Sequence, residues 1–268
     1  MLWCCVVLCT TVHSYCVFLL CTTTTTTTTV HNYYHKTGCG GQGYLSVNRF
    51  GQLIGFAHAG VTAEGDNRVL FQKVAKELSA AARTVPAVQA RMRATPPAIR
   101  SAAALRDLHT LQALFTAREG RLLTQLMRRM AGLRGGDEVF EVWMKAESDL
   151  VQATATAYAE REVLDACARA VASAGELAPV LLQMTQLYAL RRLEVDIAQL
   201  LSEGLLPVEA TRWVPDHVRA LCRELGAVSL QLVEAFGIPD ALVAAPIAGD
   251  WVEYNAVDNR GELFGEQF

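Results

Sequence analysis

The stretch from Cys39 to Leu78, CGGQGYLSVNRFGQLIGFAHAGVTAEGDNRVLFQKVAKEL, sets the organisation of this chain. It opens with a glycine-dense turn, which has glycine at positions 40, 41 and 43. Because glycine has no Cβ, backbone N–H groups in such a turn can approach a bulky anionic ligand closely. A cluster of this kind is also typical of a tight turn without any ligand. Both interpretations are open from these residues alone.

An acidic loop, TAEGDN, follows at residues 62–67. Glu64 precedes Gly65, which can bend sharply, so its carboxylate lies on a loop and can reach a ligand. Asp66 and Asn67 are both residues that favour the cap of a following helix. From the loop alone, Glu64 is equally well interpreted as an acidic turn residue or as a catalytic base.

From Asn67 onward, the spacing of apolar residues predicts helices. Leu70, Val74 and Leu78 recur every four residues and, with Phe71 and Ala75 beside them, form one apolar stripe. Prolines between Thr84 and Pro97 predict a break, where we place a domain boundary. Later helices are predicted to run to about Leu133, from Asp137 to about Ser173, and from Leu177 to Phe236, with breaks at Gly135-Gly136, Gly175, Gly204 and Pro207. The predicted fold class is all-α, an antiparallel helical bundle with a final surface-wrapping tail at 239–268.

The composition allows one large or two modest domains with a real apolar core. The 268 residues are 51% hydrophobic and 19% charged, with a net charge of −3, which does not suggest a nucleic-acid partner. The scattered cysteines and histidines give neither a disulfide framework nor a metal-ligand spacing, so we expect no metal site and a reducing compartment.

The first 35 residues contain no Lys, Arg, Asp or Glu, and eight consecutive threonines follow an apolar run at 1–21. About 20 apolar residues are long enough to span a bilayer, which favours a signal peptide or an anchor. No basic residue flanks the run, however, and no cleavage site is obvious. We therefore favour a low-complexity head that is not a natural part of the fold, and we expect no membrane partner.

Several motifs resemble those of acyl-CoA oxidases, the flavoenzymes of peroxisomal β-oxidation. CGGQGY is similar to the CGGxGY turn of that family, and AEGDN is similar to its xEGxN loop. The related acyl-CoA dehydrogenases usually read GGxGF and EGTxQ instead. The resemblance extends from about Lys36 to Phe268 and includes the C-terminal motifs Phe236-Gly-Ile-Pro-Asp240, Ala245-Pro-Ile-Ala248, Asp250-Trp251, Tyr254-Asn255 and Asp258-Asn-Arg-Gly-Glu-Leu263.

This resemblance implies an FAD-dependent oxidase that converts fatty acyl-CoA to trans-2-enoyl-CoA and reduces O2 to H2O2. It implies that Glu64 is the catalytic base. The residues that it places at the FAD pocket are Gly40, Gly41, Gly43, Asp66 and Asn67. The resemblance also implies a homodimer and a peroxisomal location, although the chain ends in Glu-Gln-Phe and not in a Ser-Lys-Leu signal.

The resemblance divides the chain into three parts: a head at 1–35, the end of the flavin-binding helical domain at 36–85, and the C-terminal helical domain at 86–268. The family's N-terminal helical domain and β-domain have no counterpart before Lys36. We therefore expect an oxidase fragment that is inactive alone. The alternatives are a helical interaction module that pairs with full-length subunits, or a dehydrogenase relative.

Charge is segregated along the chain. Residues 83–134 hold ten arginines and two acids, whereas residues 135–206 hold twelve acids and five bases. The arginines are interpreted either as a site for the phosphates of coenzyme A or as partners of acids on neighbouring helices. We favour the second interpretation.

Overall fold

The computed structural model describes residues 39–62, 66–243 and 245–258. Within these ranges all regular secondary structure is helical and no β-strand is present, which confirms the predicted all-α class. The α-helices are α1 Gly40–Tyr44, α2 Phe50–Thr62, α3 Asn67–Thr84, α4 Pro86–Met92, α5 Leu108–Arg129, α6 Gly136–Glu141, α7 Ser148–Ser173, α8 Ala178–Val195, α9 Ile197–Ser202, α10 Ala210–Gly226, α11 Ser229–Glu234 and α12 Trp251–Asp258. A π-helical segment spans Val142–Ala146, and 3₁₀ turns span Ser46–Asn48, Ala102–Arg106, Gly175–Leu177, Asp240–Leu242 and Pro246–Ala248.

Helices α3, α5, α7, α8 and α10 form the bundle. Helix α7 packs against α5, α3 and α8, and α8 packs against α10. Gln112 on α5 donates a hydrogen bond to Asp165 on α7. Arg118 lies six residues later on α5 but donates to Glu160, which lies five residues earlier on α7. Helices α5 and α7 are therefore antiparallel. The short turn at Gly175–Leu177 then reverses the chain into α8. This is the antiparallel arrangement that short connections favour.

Helix α3 confirms the helix predicted after Asn67. Phe71, Ala75, Leu78 and Ala82 form its buried stripe, so Phe71, Ala75 and Leu78 of the predicted stripe are buried, whereas Leu70 and Val74 lie at its edge and are only partly buried. Phe71 and Ala75 pack with Val151 and Ala155 of α7 in the apolar core. Burying such a stripe stabilises the fold by roughly 25 cal/mol per Å² of apolar surface.

The predicted break at 84–97 contains the short helix α4. Pro86 occupies its first turn, where the missing N–H costs nothing. The end of α4 lies so close to α5 that a Cβ at Gly120 would stand 2.1 Å from the carbonyl oxygen of Arg91. Only glycine allows this approach. The domain boundary proposed near residue 85 stays a prediction.

The helix predicted from Asp137 to Ser173 is interrupted by a π-helical segment. The N–H of Glu147 donates to the carbonyl oxygen of Val142 (2.8 Å), five residues back. Because a π turn holds an extra residue, it rotates the apolar face. Trp143 and Leu150 pack on the core, whereas Val139, before the π turn, is exposed.

The predicted tail is more ordered than expected over its described part, which includes two 3₁₀ turns and α12. Its last ten residues lie outside the described ranges, as does the 1–35 head. Among the helices that the structure does describe, none is both long enough and apolar enough to cross a membrane.

Candidate functional site

The glycine turn forms α1 and leaves backbone open to solvent. Gly40 has a left-handed φ of 57°, a conformation that glycine adopts without strain. Among the residues that the structure describes, no heavy atom would lie within 4 Å of a Cβ at Gly40 or Gly41; both residues are exposed, whereas Gly43 is buried. A ligand can therefore reach the backbone at Gly40 and Gly41.

The first residues of α3 show how the acidic loop ends. The Oδ1 atom of Asp66 accepts hydrogen bonds from the backbone N–H groups of Arg68 (2.9 Å) and Val69 (3.2 Å). Asp66 is therefore the N-cap of α3, as its residue type indicated. A contact between Asp66 and FAD stays a prediction.

Asn67 is 3% exposed, and its Nδ2 group has no hydrogen-bond partner among the residues that the structure describes. A buried N–H donor without an acceptor costs about 1–3 kcal/mol, so such groups are rare. A ligand carbonyl or ring nitrogen would satisfy it.

The predicted base, Glu64, lies outside the described residues together with Ala63 and Gly65. Its role stays a prediction. Within the described ranges, no hydrogen bond joins the glycine turn to Asp66 or Asn67, so the two halves of the predicted site are not directly linked there.

Large apolar side chains within and just after the glycine turn in the sequence lie on the surface. Tyr44 is 81% exposed, Phe56 is 80% exposed and Leu53 is 60% exposed. Exposed apolar residues grouped in one short segment are typical of a surface that another polypeptide or a ligand covers.

Sequence reasoning missed a set of buried charges at the centre of the bundle. Arg118-Glu119 on α5 faces Glu160-Arg161 on α7, with the order of charges reversed because the helices are antiparallel. Arg118 bonds Glu160, and Arg161 bonds Glu119. The side chains of both glutamates are fully buried. We call these four residues the buried ionic core.

Neighbouring charges extend the buried ionic core on both sides. Arg91 on α4 bonds Glu119 (2.9 Å), Arg192 on α8 bonds Glu160, and Asp196 bonds Arg118. Arg118 of the arginine-rich segment pairs across helices with Glu160 and Asp196 of the acidic segment, as the interpretation that we favoured for the segregated charge predicts. The Arg91–Glu119 and Arg192–Glu160 pairs each lie within one segment. The signal that could have found them is the reciprocal Arg-Glu and Glu-Arg dipeptides on two predicted neighbours.

Burial and charge act in opposite directions on Arg118. Burial works to lower the pKa of its guanidinium, but Glu160 and Asp196 outweigh that effect and raise it above the ordinary value. The same balance with Glu119 and Glu162 raises the pKa of Arg161. Both arginines are therefore permanent cations, suited to fixing helix positions and not to moving protons.

A shallow groove of about 580 Å³ runs along the outer face of α3. Arg68, Lys73 and Lys76 line it, together with apolar side chains that include Trp143 and Met144. None of the predicted site residues lines this groove. Its end at Arg68 and Val69 adjoins Asp66, which accepts hydrogen bonds from both of their backbone N–H groups.

Comparison with protein families gives two matches. The family described as acyl-CoA oxidase matches residues 107–250, more than half of the chain. The acyl-CoA oxidase C-alpha1 domain matches residues 7–79, a range that contains the glycine turn and the acidic loop as well as most of the first 35 residues.

Curated relatives agree with these matches. The chain is 34% identical over 239 residues to the peroxisomal acyl-coenzyme A oxidase 3 of Arabidopsis thaliana, which covers 82% of this chain and 34% of the relative. It is 28% identical over 235 residues to the peroxisomal acyl-coenzyme A oxidase 2 of the same plant, covering 80% of this chain and 33% of the relative. The chain thus spans about a third of the length of these relatives.

Solved structures share the fold. Acyl-CoA oxidase 1 of Arabidopsis thaliana superposes with a TM-score of 0.75 at 22% identity, over 86% of this chain and 37% of that one. Acyl-CoA oxidase-1 of Caenorhabditis elegans, a complex with FAD and ATP, superposes with a TM-score of 0.69 at 18% identity, over 80% and 34%. By sequence this chain belongs to the acyl-CoA oxidase family.

Proposed function

We propose that this chain supplies the catalytic base and one wall of the flavin pocket of a peroxisomal acyl-CoA oxidase. The reaction is the conversion of fatty acyl-CoA to trans-2-enoyl-CoA with reduction of O2 to H2O2. The observation that carries the proposal is the pair of motifs, CGGQGY and AEGDN, inside the part of the chain that matches the oxidase C-alpha1 domain.

Glu64 has the role of general base in this proposal. Its carboxylate removes the proton at the carbon α to the thioester carbonyl, a step that needs a base whose pKa lies near the working pH. Contact with an apolar acyl chain removes water from a carboxylate and moves its pKa in that direction. Bound FAD would accept the hydride from the β-carbon and pass the electrons to O2.

The described residues fit a flavin at this place. Within the described part of the chain, the backbone at Gly40 and Gly41 is exposed and a Cβ there would meet no atom within 4 Å, so a flat ligand can lie against it. The buried Nδ2 donor of Asn67 lacks an acceptor among the described residues, and flavins carry several acceptor atoms. These two observations support the assignment of Gly40, Gly41 and Asn67 to the cofactor pocket, with Gly43 and Asp66 holding the backbone around it.

In this proposal the oxidase activity requires further polypeptide beyond the residues that the structure describes. The relatives are about three times as long as the matched region, and exposed Tyr44, Leu53 and Phe56 form a surface that further protein would cover. We therefore expect the chain alone to be inactive. The same surface also supports a second candidate, a non-enzymatic module that pairs with complete oxidase subunits as in a homodimer.

The test is a fusion of this chain to the part of the Arabidopsis thaliana acyl-coenzyme A oxidase 3 that has no counterpart in it. We call this fusion the completed oxidase. It should bind FAD and release H2O2 with a fatty acyl-CoA. Glu64→Gln should lower turnover by about a hundredfold or more while FAD stays bound, because general-base catalysis contributes roughly 10²–10⁴-fold.

Retained turnover in the Glu64→Gln variant would rule out this residue as the base. A matched control is Glu77→Gln, which changes an exposed carboxylate of α3 that pairs only with Lys73 at 3.7 Å. The control should keep full turnover.

A further inference from the structure

Asn48 is an unusually buried polar residue in an exposed segment. Its residue exposure is 1%, while neighbouring Ser46 and Arg49 are exposed. It ends the 3₁₀ turn Ser46–Asn48, which follows the glycine turn after one residue. Burying an amide side chain is unfavourable unless it is hydrogen-bonded, so its contacts explain why it is there.

Three hydrogen bonds hold the Asn48 carboxamide. Its Nδ2 group donates to the backbone carbonyl oxygen of Gln42 (2.8 Å) and to the Gln42 Oε1 atom (3.0 Å). Its Oδ1 atom accepts from the backbone N–H of Ile247 (2.9 Å). Because only the amide nitrogen donates and only its oxygen accepts here, these contacts fix the orientation of the group.

The two partners of Asn48 lie far apart in the sequence. Gln42 stands between Gly41 and Gly43, so its carbonyl sets the orientation of a peptide unit within the glycine turn. Ile247 lies in the 3₁₀ turn Pro246–Ala248, 199 residues from Asn48 along the chain. This turn is half-buried, packs against Ser46–Asn48 and is followed by the exposed start of α12.

We infer that Asn48 is a positioning residue that ties the glycine turn to the C-terminal segment at 245–248, so that this segment becomes part of the cofactor site. The hydrogen bonds from Asn48 hold the Gln42 peptide in place, and the exposed backbone of Gly40 and Gly41 stays accessible to the ligand. Asn48 therefore acts through Gln42 and touches no substrate or cofactor itself. Its role toward FAD rests on the proposed function, whereas the tie itself does not.

The tie is tested on the 268-residue chain by hydrogen exchange. Asn48→Ala removes all three bonds and should raise amide exchange about tenfold both at Ile247 and in the glycine turn, because each hydrogen bond contributes about 1 kcal/mol. Amides in α5 and α7 should not change. Ser46→Ala, an exposed residue of the same 3₁₀ turn, is the control and should leave every rate unchanged.

Asn48→Asp separates the two ends of the tie. An ionised carboxylate still accepts from the Ile247 N–H but cannot donate to Gln42. Exchange should therefore rise in the glycine turn and stay slow at Ile247. Unchanged exchange at both places in Asn48→Ala, or the same rise throughout the chain, would overturn the inference.

The link to the cofactor is tested in the completed oxidase. Asn48→Ala should weaken FAD binding about tenfold, measured as the dissociation constant by flavin fluorescence, and Ser46→Ala should not. Unaltered FAD binding in Asn48→Ala would overturn the link. If the unsubstituted fusion bound no FAD, the proposed function would fail, and the exchange experiment would still decide whether the tie exists.

Discussion

The segment at 39–62 and the bundle of α3 to α10 differ in which kinds of residue they expose and which they bury. The segment leaves glycine backbone and aromatic side chains such as Tyr44 and Phe56 on the surface. The bundle buries two glutamates completely and two arginines almost completely, and a glycine, Gly120, lets two of its helices approach closely. The bundle pairs most of its buried charged groups internally, whereas the segment leaves large apolar side chains exposed.

This contrast explains why the sequence motifs that indicate function and the buried contacts that hold the fold lie in different parts of the chain. The glycine turn and the acidic loop, which carry much of the resemblance, lie in or next to the exposed segment at 39–62. The buried ion pairs lie on α5 and α7, which contain none of the motifs. Mutations should therefore divide into two classes: those that lower stability, and those that leave stability unchanged but remove cofactor binding.

The largest expected effect is at the buried ionic core. Glu160→Ala leaves Arg118 and Arg192 without their shared carboxylate in a buried position, and breaking such a pair costs roughly 3–5 kcal/mol. The free energy of unfolding, measured by urea denaturation, should fall by that amount. The matched control is Glu141→Ala, whose exposed bond to Lys145 should contribute below about 0.5 kcal/mol. An equal fall in the free energy of unfolding in both variants would contradict the claim that the buried ionic core stabilises the bundle more than an exposed ion pair does.

Two glycines sharpen the comparison. Gly120→Ala puts a Cβ 2.1 Å from a backbone oxygen that cannot rotate away, so we expect the free energy of unfolding to fall by about 1–3 kcal/mol. The gain of about 1 kcal/mol in helix propensity is too small to offset this.

The methyl group of Gly41→Ala meets no atom of the described residues within 4 Å, so this change should alter the free energy of unfolding by less than about 0.5 kcal/mol. In the completed oxidase the same change should weaken FAD binding, because the new methyl group stands where the ligand approaches. A stability loss at Gly41, or none at Gly120, would contradict the division into two classes.

Sequence reasoning found the helices because they follow local rules. The four-residue spacing from Leu70 predicted α3, and the residue type of Asp66 predicted its cap. It could not find the buried ionic core, because charged residues are ordinarily exposed and only the packing of α5 on α7 shows which ones are not. It could not find Asn48 either, since its partner Ile247 is close only in the folded chain.

The smallest expected effect is on acid stability. The hydrogen bond from the Thr110 hydroxyl, aided by that from its backbone N–H, lowers the pKa of Asp107 below its ordinary value of 3.8. A lowered folded-state pKa means that the stabilisation is present above pH 3.8 and is lost as the pH falls through the folded-state pKa. Because this carboxylate is exposed, the loss should stay below about 1 kcal/mol.

Urea denaturation at pH 7 and pH 3 measures this loss. Asp107→Asn keeps a capping oxygen but removes the titration, so it should lose less stability between the two pH values than the unsubstituted chain. An identical loss in both proteins would show that Asp107 contributes nothing to acid sensitivity.

The most direct test of the whole account is the amount of FAD that each protein retains after free FAD is removed, measured by flavin absorbance. The account predicts that the 268-residue chain folds into its helical bundle but stays colourless, and that the completed oxidase is yellow and releases H2O2 with a fatty acyl-CoA. A yellow, active preparation of the chain alone would contradict the claim that its exposed glycine turn is completed by further polypeptide. A colourless completed oxidase would contradict the assignment of that turn to the flavin.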